Sequence, residues 1–404
     1  MKKFYDGPVN LFYLFLLLFI LIVPVDSGLL IRALAFLFVL LLWLVFLGAT
    51  LSIRHGKTID RTGETIGYYN PGAGLVVCLI SFQYVAAAYV GYFYTGLNFF
   101  DALNNLVLGV SNYSVYQSYF NESGLAQFTL DKIPAILLFF YVKFIFVYIV
   151  FYFLVRQRKR PQAAVLIAAI PLIMISAFRG TNIEFFEVFI VVLCGIHIKG
   201  RMTQNYKLPI LKVLLAGFIL ISIYSLQVNY RYGFEYTPSC NNEFCYDDDS
   251  VIYKLFPALY SLSAYFYFAP DYMARWFYIL TDNISFIEFF LPGNGYLSGH
   301  TGKWLCGEYI KCGPTWAPDF ELMIYTFGLF GSVFIVFVLS RLFKRLEYTS
   351  HFSFVSFLGY YLVSLQLIAL PVGNFLLVSS ANQIMLFAFI FLFLVKTWLS
   401  ASKK

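Results

Sequence analysis

Apolar runs of about 18 residues or more alternate with short polar connections along most of the chain, and this is the length an α-helix needs to cross a hydrocarbon core. The pattern predicts about ten spans, at residues 9–25, 29–52, 72–95, 134–155, 162–178, 183–198, 208–228, 318–340, 352–372 and 381–399. One polar interruption, 229–317, is far longer than the others. The expected fold is an all-α polytopic membrane protein with a large outer loop of short helices. Residues 1–228 hold the first seven spans, 229–317 the loop and 318–404 the last three. Inside the loop, 251–268 is apolar but interrupted by Pro257, which predicts an interfacial helix or a broken half-span. Pro270-Asp271 then reads as a helix restart with Asp271 as N-cap.

Composition agrees. The chain is 60% hydrophobic and 12% charged, against about 25% charged in a soluble domain. The net charge of +7 does not point to nucleic acid, because the basic residues cluster in every second connection. Arg54, Lys57 and Arg61 lie in one such connection, and Arg156, Arg158, Lys159 and Arg160 in another. Lys199, Arg201 and Lys207 follow, then Arg341, Lys344 and Arg345. By the positive-inside rule both termini are cytoplasmic, and three segments lie outside: 96–133, the turn at 179–182, and 229–317. The first apolar run is too long for a cleavable signal peptide and has no small-residue cleavage site after it.

Four of the six cysteines, Cys240, Cys245, Cys306 and Cys312, fall in the outer loop, as expected for an oxidising compartment. Cys240/Cys245 and Cys306/Cys312 are the local pairs among three connectivities. Cys78 and Cys194 lie within spans and are expected to be apolar packing residues.

Arg179 is the sharpest chemical signal. It ends a span on the side where Lys and Arg are scarce, just before Glu184 and Glu187. It either binds an anionic ligand or pairs with one of those acids. Arg231 and Arg275 are outward arginines flanked by aromatics. Guanidinium forks suit phosphate oxygens, so Arg179, Arg231 and Arg275 are candidates for a diphosphate; snorkelling to lipid headgroups is the alternative for the last two. His300, Asp319 and Glu321 are candidates for a general base, with helix capping and dipole compensation the other role of the two acids. Lys143 stands midway through a span and must face protein or water. The outward tyrosines form an interfacial belt by default; Tyr230, Tyr265 and Tyr272 are candidates for stacking on sugar rings. There is no phosphate loop, metal-ligand motif or serine elbow, so no metal or cofactor is expected.

Three segments carry a family resemblance: Ser176-Ala-Phe-Arg-Gly180, Ala264-Tyr-Phe-Tyr-Phe-Ala-Pro270, and Pro318-Asp-Phe-Glu-Leu-Met-Ile-Tyr-Thr-Phe-Gly328. They resemble the outer Arg-Gly turn, the aromatic-Pro loop segment and the acidic start of the following span in bacterial O-antigen (oligosaccharide repeat-unit) polymerases of the Wzy type. The related O-antigen ligases carry a loop His, whereas here Asp319 and Glu321 stand near that place and His300 lies upstream. The resemblance implies a metal-independent, inverting glycosyltransferase of C-type architecture in the bacterial inner membrane. Its substrate would be an undecaprenyl-diphosphate-linked oligosaccharide at the periplasmic face, with membrane lipid and a chain-length regulator protein as partners. A lipid-linked oligosaccharide flippase and an O-antigen ligase are the competing readings.

Overall fold

The computed structural model describes residues 7–23, 25, 26, 28–51, 72–108, 112–122, 129–156, 162–181, 183–202, 245, 246, 266–283, 318–349, 353–373 and 379–401. Every expected span that falls on these residues is helical. The helices are α1 (Pro8–Ile22), α2 (Leu29–Leu51), α3 (Ala73–Thr95), α4 (Phe99–Leu108), α5 (Asn112–Glu122) and α6 (Lys132–Ile149). They continue with α7 (Gln162–Arg179), α8 (Ile183–Met202), α9 (Phe268–Asn283), α10 (Asp319–Thr349), α11 (Phe354–Val372) and α12 (Ser380–Ala401). Among the described residues, six helical segments are long and apolar enough to cross a membrane: Leu29–Leu51, Ala73–Thr95, Lys132–Val155, Thr326–Thr349, Phe354–Val372 and Ser380–Trp398. The chain is a helical membrane protein. The expected span at 208–228 lies outside the described residues.

The bundle is organised around α11. Every residue from Ser356 to Val372 is buried, whereas α2, α3 and α12 keep large apolar side chains such as Leu44, Val85 and Phe391 exposed on their outer flanks. That asymmetry is expected when lipid rather than water covers the outside. Helices α1, α8, α9, α10 and α12 pack on α11. α3, α6 and α7 form a second layer, joined where Gln83 Nε2 donates to both Val142 O and Ala168 O, at 2.9 and 3.1 Å. Cys194 is buried as expected, but Cys78 is exposed on the flank of α3, so it is not a packing residue.

Four features differ from the sequence reading. Residues 96–133 are not simply a loop: they contain α4 and α5. Asn112 Nδ2 ties this pair to α7, donating to Ala102 O and Ala177 O at 3.1 and 3.0 Å. α6 does not run on as an α-helix; it passes into a π-helical turn, Val150–Arg156, packed against Gly195 of α8, where a Cβ would stand 2.8 Å from Val150. Asp271 is not an N-cap. Helix α9 begins at Phe268, so Asp271 lies inside its first turn, and Pro270 is tolerated there because first-turn N–H groups have no intrahelical acceptor.

The fourth difference matters most. The expected span 318–340 is broken at Gly328, which has φ 67° and ψ 171°. A side chain at that φ is strained, so glycine is what permits the break. It sets the short segment 319–327 apart from the long apolar one that follows, 329–349. The two ends of the bundle also differ. At one end Val25–Asp26, between α1 and α2, pairs antiparallel with Cys245–Tyr246. This places Cys245–Tyr246 of the 229–317 segment at the connection between α1 and α2.

Gly328→Ala is expected to lower the thermal unfolding midpoint in detergent, since the forced positive φ costs roughly 1–3 kcal/mol. Gly74→Ala, where an added methyl meets open space, should leave it nearly unchanged; equal midpoints for both variants would show that the break at Gly328 carries no strain.

Candidate functional site: buried polar clusters between helices

Arg179 closes α7 in a tight turn. Gly180 takes φ 60°, and Thr181 N–H returns to Ser176 O at 3.1 Å, the hydrogen bond of a Schellman cap. Any side chain at 180 would collide with α5, since a Cβ there would lie 2.6 Å from the Tyr113 backbone nitrogen. The Ser176 hydroxyl also donates to Thr181 O. This turn delivers Arg179 into an aromatic and acidic setting. Its Nη1 donates to Glu184 Oε1 at 2.8 Å, and its guanidinium lies 5.0 Å from the Tyr116 ring centre and 5.5 Å from that of Tyr94. Thr181 Oγ1 holds the second Glu184 oxygen at 2.9 Å. Of the two acids named as its alternatives, Arg179 pairs with Glu184. Its buried Nε has no hydrogen-bond partner among the described residues, so one donor of the fork is still available.

Glu187 is taken by another cation. Lys143 Nζ lies 2.5 Å from Glu187 Oε2 and donates to Asn382 Oδ1 at 3.0 Å. Asn382 Nδ2 in turn donates to Glu187 Oε1 at 2.7 Å. The Phe139 ring covers the ammonium at 4.6 Å. Lys143 and Glu187 are 3% and 2% exposed. Lys143, whose role the sequence left open, therefore joins α6 to α8 and α12.

A third cluster forms where α9, α10 and α11 meet. Phe38 of α2 supports it by touching Phe277 of α9 and Phe320 of α10. Tyr272 OH donates to Glu321 Oε1 at 2.7 Å. Gln366 Nε2 donates to Asp319 Oδ2 at 3.1 Å. Arg275 Nε donates to Asp271 Oδ2 at 2.8 Å, an i,i+4 pair on α9. Asp271, Tyr272, Asp319 and Glu321 are only 2–4% exposed. Tyr272 and Glu321 were named as candidates on separate grounds, and the structure puts them in direct contact. A carboxylate held by a neutral hydroxyl can take up a proton; one held by an amide can orient a hydroxyl beside it.

Arg179 and Arg275 do not share a cluster. α7 packs chiefly on α3, α5, α6 and α8, and α9 on α2 and α11. Phe186 of α8 and Phe266, just before α9, meet at 5.6 Å between them. His300, Arg231, Tyr230 and Tyr265 lie outside the described residues, as do Cys240, Cys306 and Cys312. Sequence reasoning missed Tyr116, Asn382 and Gln366. Each is an uncharged polar residue, and only Gln366 and Asn382 carried a signal, an amide within an apolar span. His197 is buried in α8 with Nε2 2.8 Å from Glu347 Oε1.

No family model, curated protein or solved structure matches this chain.

Removing one member of the Lys143–Glu187 pair strands a buried charge. Lys143→Met should therefore destabilise the protein by about 3–5 kcal/mol, read as a lower unfolding midpoint in detergent. Lys143→Met combined with Glu187→Gln should recover much of that loss. A double variant no more stable than the single one would show that the pair is not the coupling.

Proposed function

We propose that this chain is an oligosaccharide repeat-unit polymerase of the bacterial inner membrane, with ten spans and its active site at the periplasmic face. It joins undecaprenyl-diphosphate-linked units without a metal. The observation that carries the reading is the α9–α10–α11 junction: Tyr272 on Glu321 and Gln366 on Asp319, two buried carboxylates gathered from distant parts of the sequence. Asp319 and Glu321 open α10, whose other end carries Arg341, Lys344 and Arg345.

In this reading a hydroxyl of the incoming lipid-linked unit attacks the anomeric carbon of the growing chain. The bond from that carbon to the lipid diphosphate breaks, and the diphosphate leaves with the electron pair. The hydroxyl proton passes to Glu321 or Asp319 as the new glycosidic bond forms. The departing diphosphate gains negative charge, and cations already held in place stabilise it most effectively where water is scarce. Arg179 and Arg275, each braced by a carboxylate, are the described candidates for that task. A flippase would need uncompensated cations deep in the bundle, and Lys143, the deep cation, is already neutralised by Glu187.

The test is polymer length on gels, alongside protein abundance. Glu321→Gln should lower the elongation rate by about 10²-fold or more, the usual contribution of a general base. Arg179→Ala should abolish long chains even per unit of protein, although it also strands the buried Glu184 carboxylate, and Arg179→Lys should recover little because a point charge lacks the fork. Long chains from Arg179→Ala at normal abundance would remove Arg179 from the site, and a fully active Glu321→Gln would remove Glu321 as base.

Sidedness has its own check. In a cysteine-free background, Glu122→Cys on α5 should react with an impermeant maleimide applied from the periplasmic side, and Thr349→Cys should not. The reverse pattern would invert the topology and move the site to the cytoplasm.

A further inference from the structure

Gln366 belongs to the buried central helix α11 and is 6% exposed. Its Nε2 donates to Asp319 Oδ2 at 3.1 Å. An ionised carboxylate can only accept, so this contact decides which end of the amide faces Asp319. The amide oxygen is thereby turned away, and Oε1 has no hydrogen-bond partner among the described residues. A buried acceptor without a donor is costly, and a bound donor recovers that cost.

Gln83 offers an instructive contrast. Its Oε1 is also buried without a partner among the described residues. Yet its Nε2 bridges two backbone carbonyls, Val142 O and Ala168 O, with no side chain of a candidate site involved. Gln83 is a cross-link between helices. Gln366 instead reaches a carboxylate at the start of α10, and so places an acceptor beside the Asp319 carboxylate that it holds. Two adjacent acceptors suit a ligand presenting two neutral O–H donors close together, and neighbouring hydroxyls of a sugar ring have that form.

We propose that Gln366 binds the acceptor sugar: its Oε1 accepts a hydrogen bond from one ring hydroxyl while a neighbouring hydroxyl faces the Asp319 carboxylate. This rests on the glycosyl-transfer reading and adds to it the residue that orients the attacking sugar. Gln366 holds the hydroxyl pair in place and takes no proton itself.

The test uses the full chain in lipid nanodiscs. A labelled preformed polymer serves as donor, and the acceptor is the single lipid-linked repeat unit extracted from cells lacking this protein. Gln366→Met keeps the volume of the side chain but loses its amide. It should raise KM for the acceptor about tenfold, the loss of roughly one hydrogen bond, with kcat within about twofold. Gln366→Asn keeps an amide but withdraws it by one methylene; it should raise KM likewise and carries the test if the Met variant does not accumulate. Gln83→Met should leave KM unchanged. If the wild-type protein elongates and both Gln366 variants keep its KM, this inference is overturned while the polymerase reading stands. A lower midpoint without a change in KM overturns it too, by making Gln366 structural. If the wild-type protein does not elongate, the polymerase reading fails and takes this inference with it.

Discussion

Lys143 carries an ammonium into the buried side of α6, and burying a lone charge there would cost several kcal/mol. Glu187 and Asn382 meet that cost together, through a closed set of contacts at 2.5, 2.7 and 3.0 Å. Contacts of this kind tolerate little sliding, so α6, α8 and α12 are held at fixed relative heights. One turn earlier on α8, Glu184 holds Arg179 and with it the end of α7. The first two turns of α8 therefore set the register of three other helices, and the packing around α11 follows from it.

The other end of α8 reverses the signs. There His197 and Arg201 both reach Glu347 Oε1 of α10 at 2.8 Å, and Lys344 reaches Oε2 at 2.6 Å. Carboxylates in the first turn and cations in the last are the arrangement that the helix dipole favours. Here each of them is also paired with a partner on another helix or, for Glu184, with the end of α7. α8 is thus clamped at both ends, with its apolar middle against α11 and the π-helical turn. The candidate site forms beside this rigid frame, on elements free of it: α9, and the short segment of α10 ahead of Gly328.

That separation has a mechanical meaning. An unbroken α10 would carry Asp319 and Glu321 along the axis of the long apolar segment, away from Tyr272 and Gln366. The break at Gly328 redirects the first turns, and Phe38, Phe277 and Phe320 pack behind them. On the opposite flank, Gly180 performs a related service by letting α5 approach the end of α7 closely enough for Tyr116 to cover Arg179.

The sequence by itself determined the helical membrane class and where the described helices of the bundle fall, because length and hydrophobic run are local properties that lipid enforces. It singled out Arg179, Arg275, Tyr272, Asp319 and Glu321 because charge or an amphipathic ring at a span end is conspicuous in one dimension. It did not decide between Glu184 and Glu187 for Arg179, since both acids lie within reach along the chain; α6 decided it by bringing Lys143 to Glu187. It read 318–340 as one helix, because a glycine in an apolar run looks the same whether it continues a helix or breaks it. Tyr116, Asn382 and Gln366 became meaningful only in three dimensions. A neutral polar side chain shows its purpose through its partner, and those partners come from helices distant in sequence that only the tertiary fold brings together.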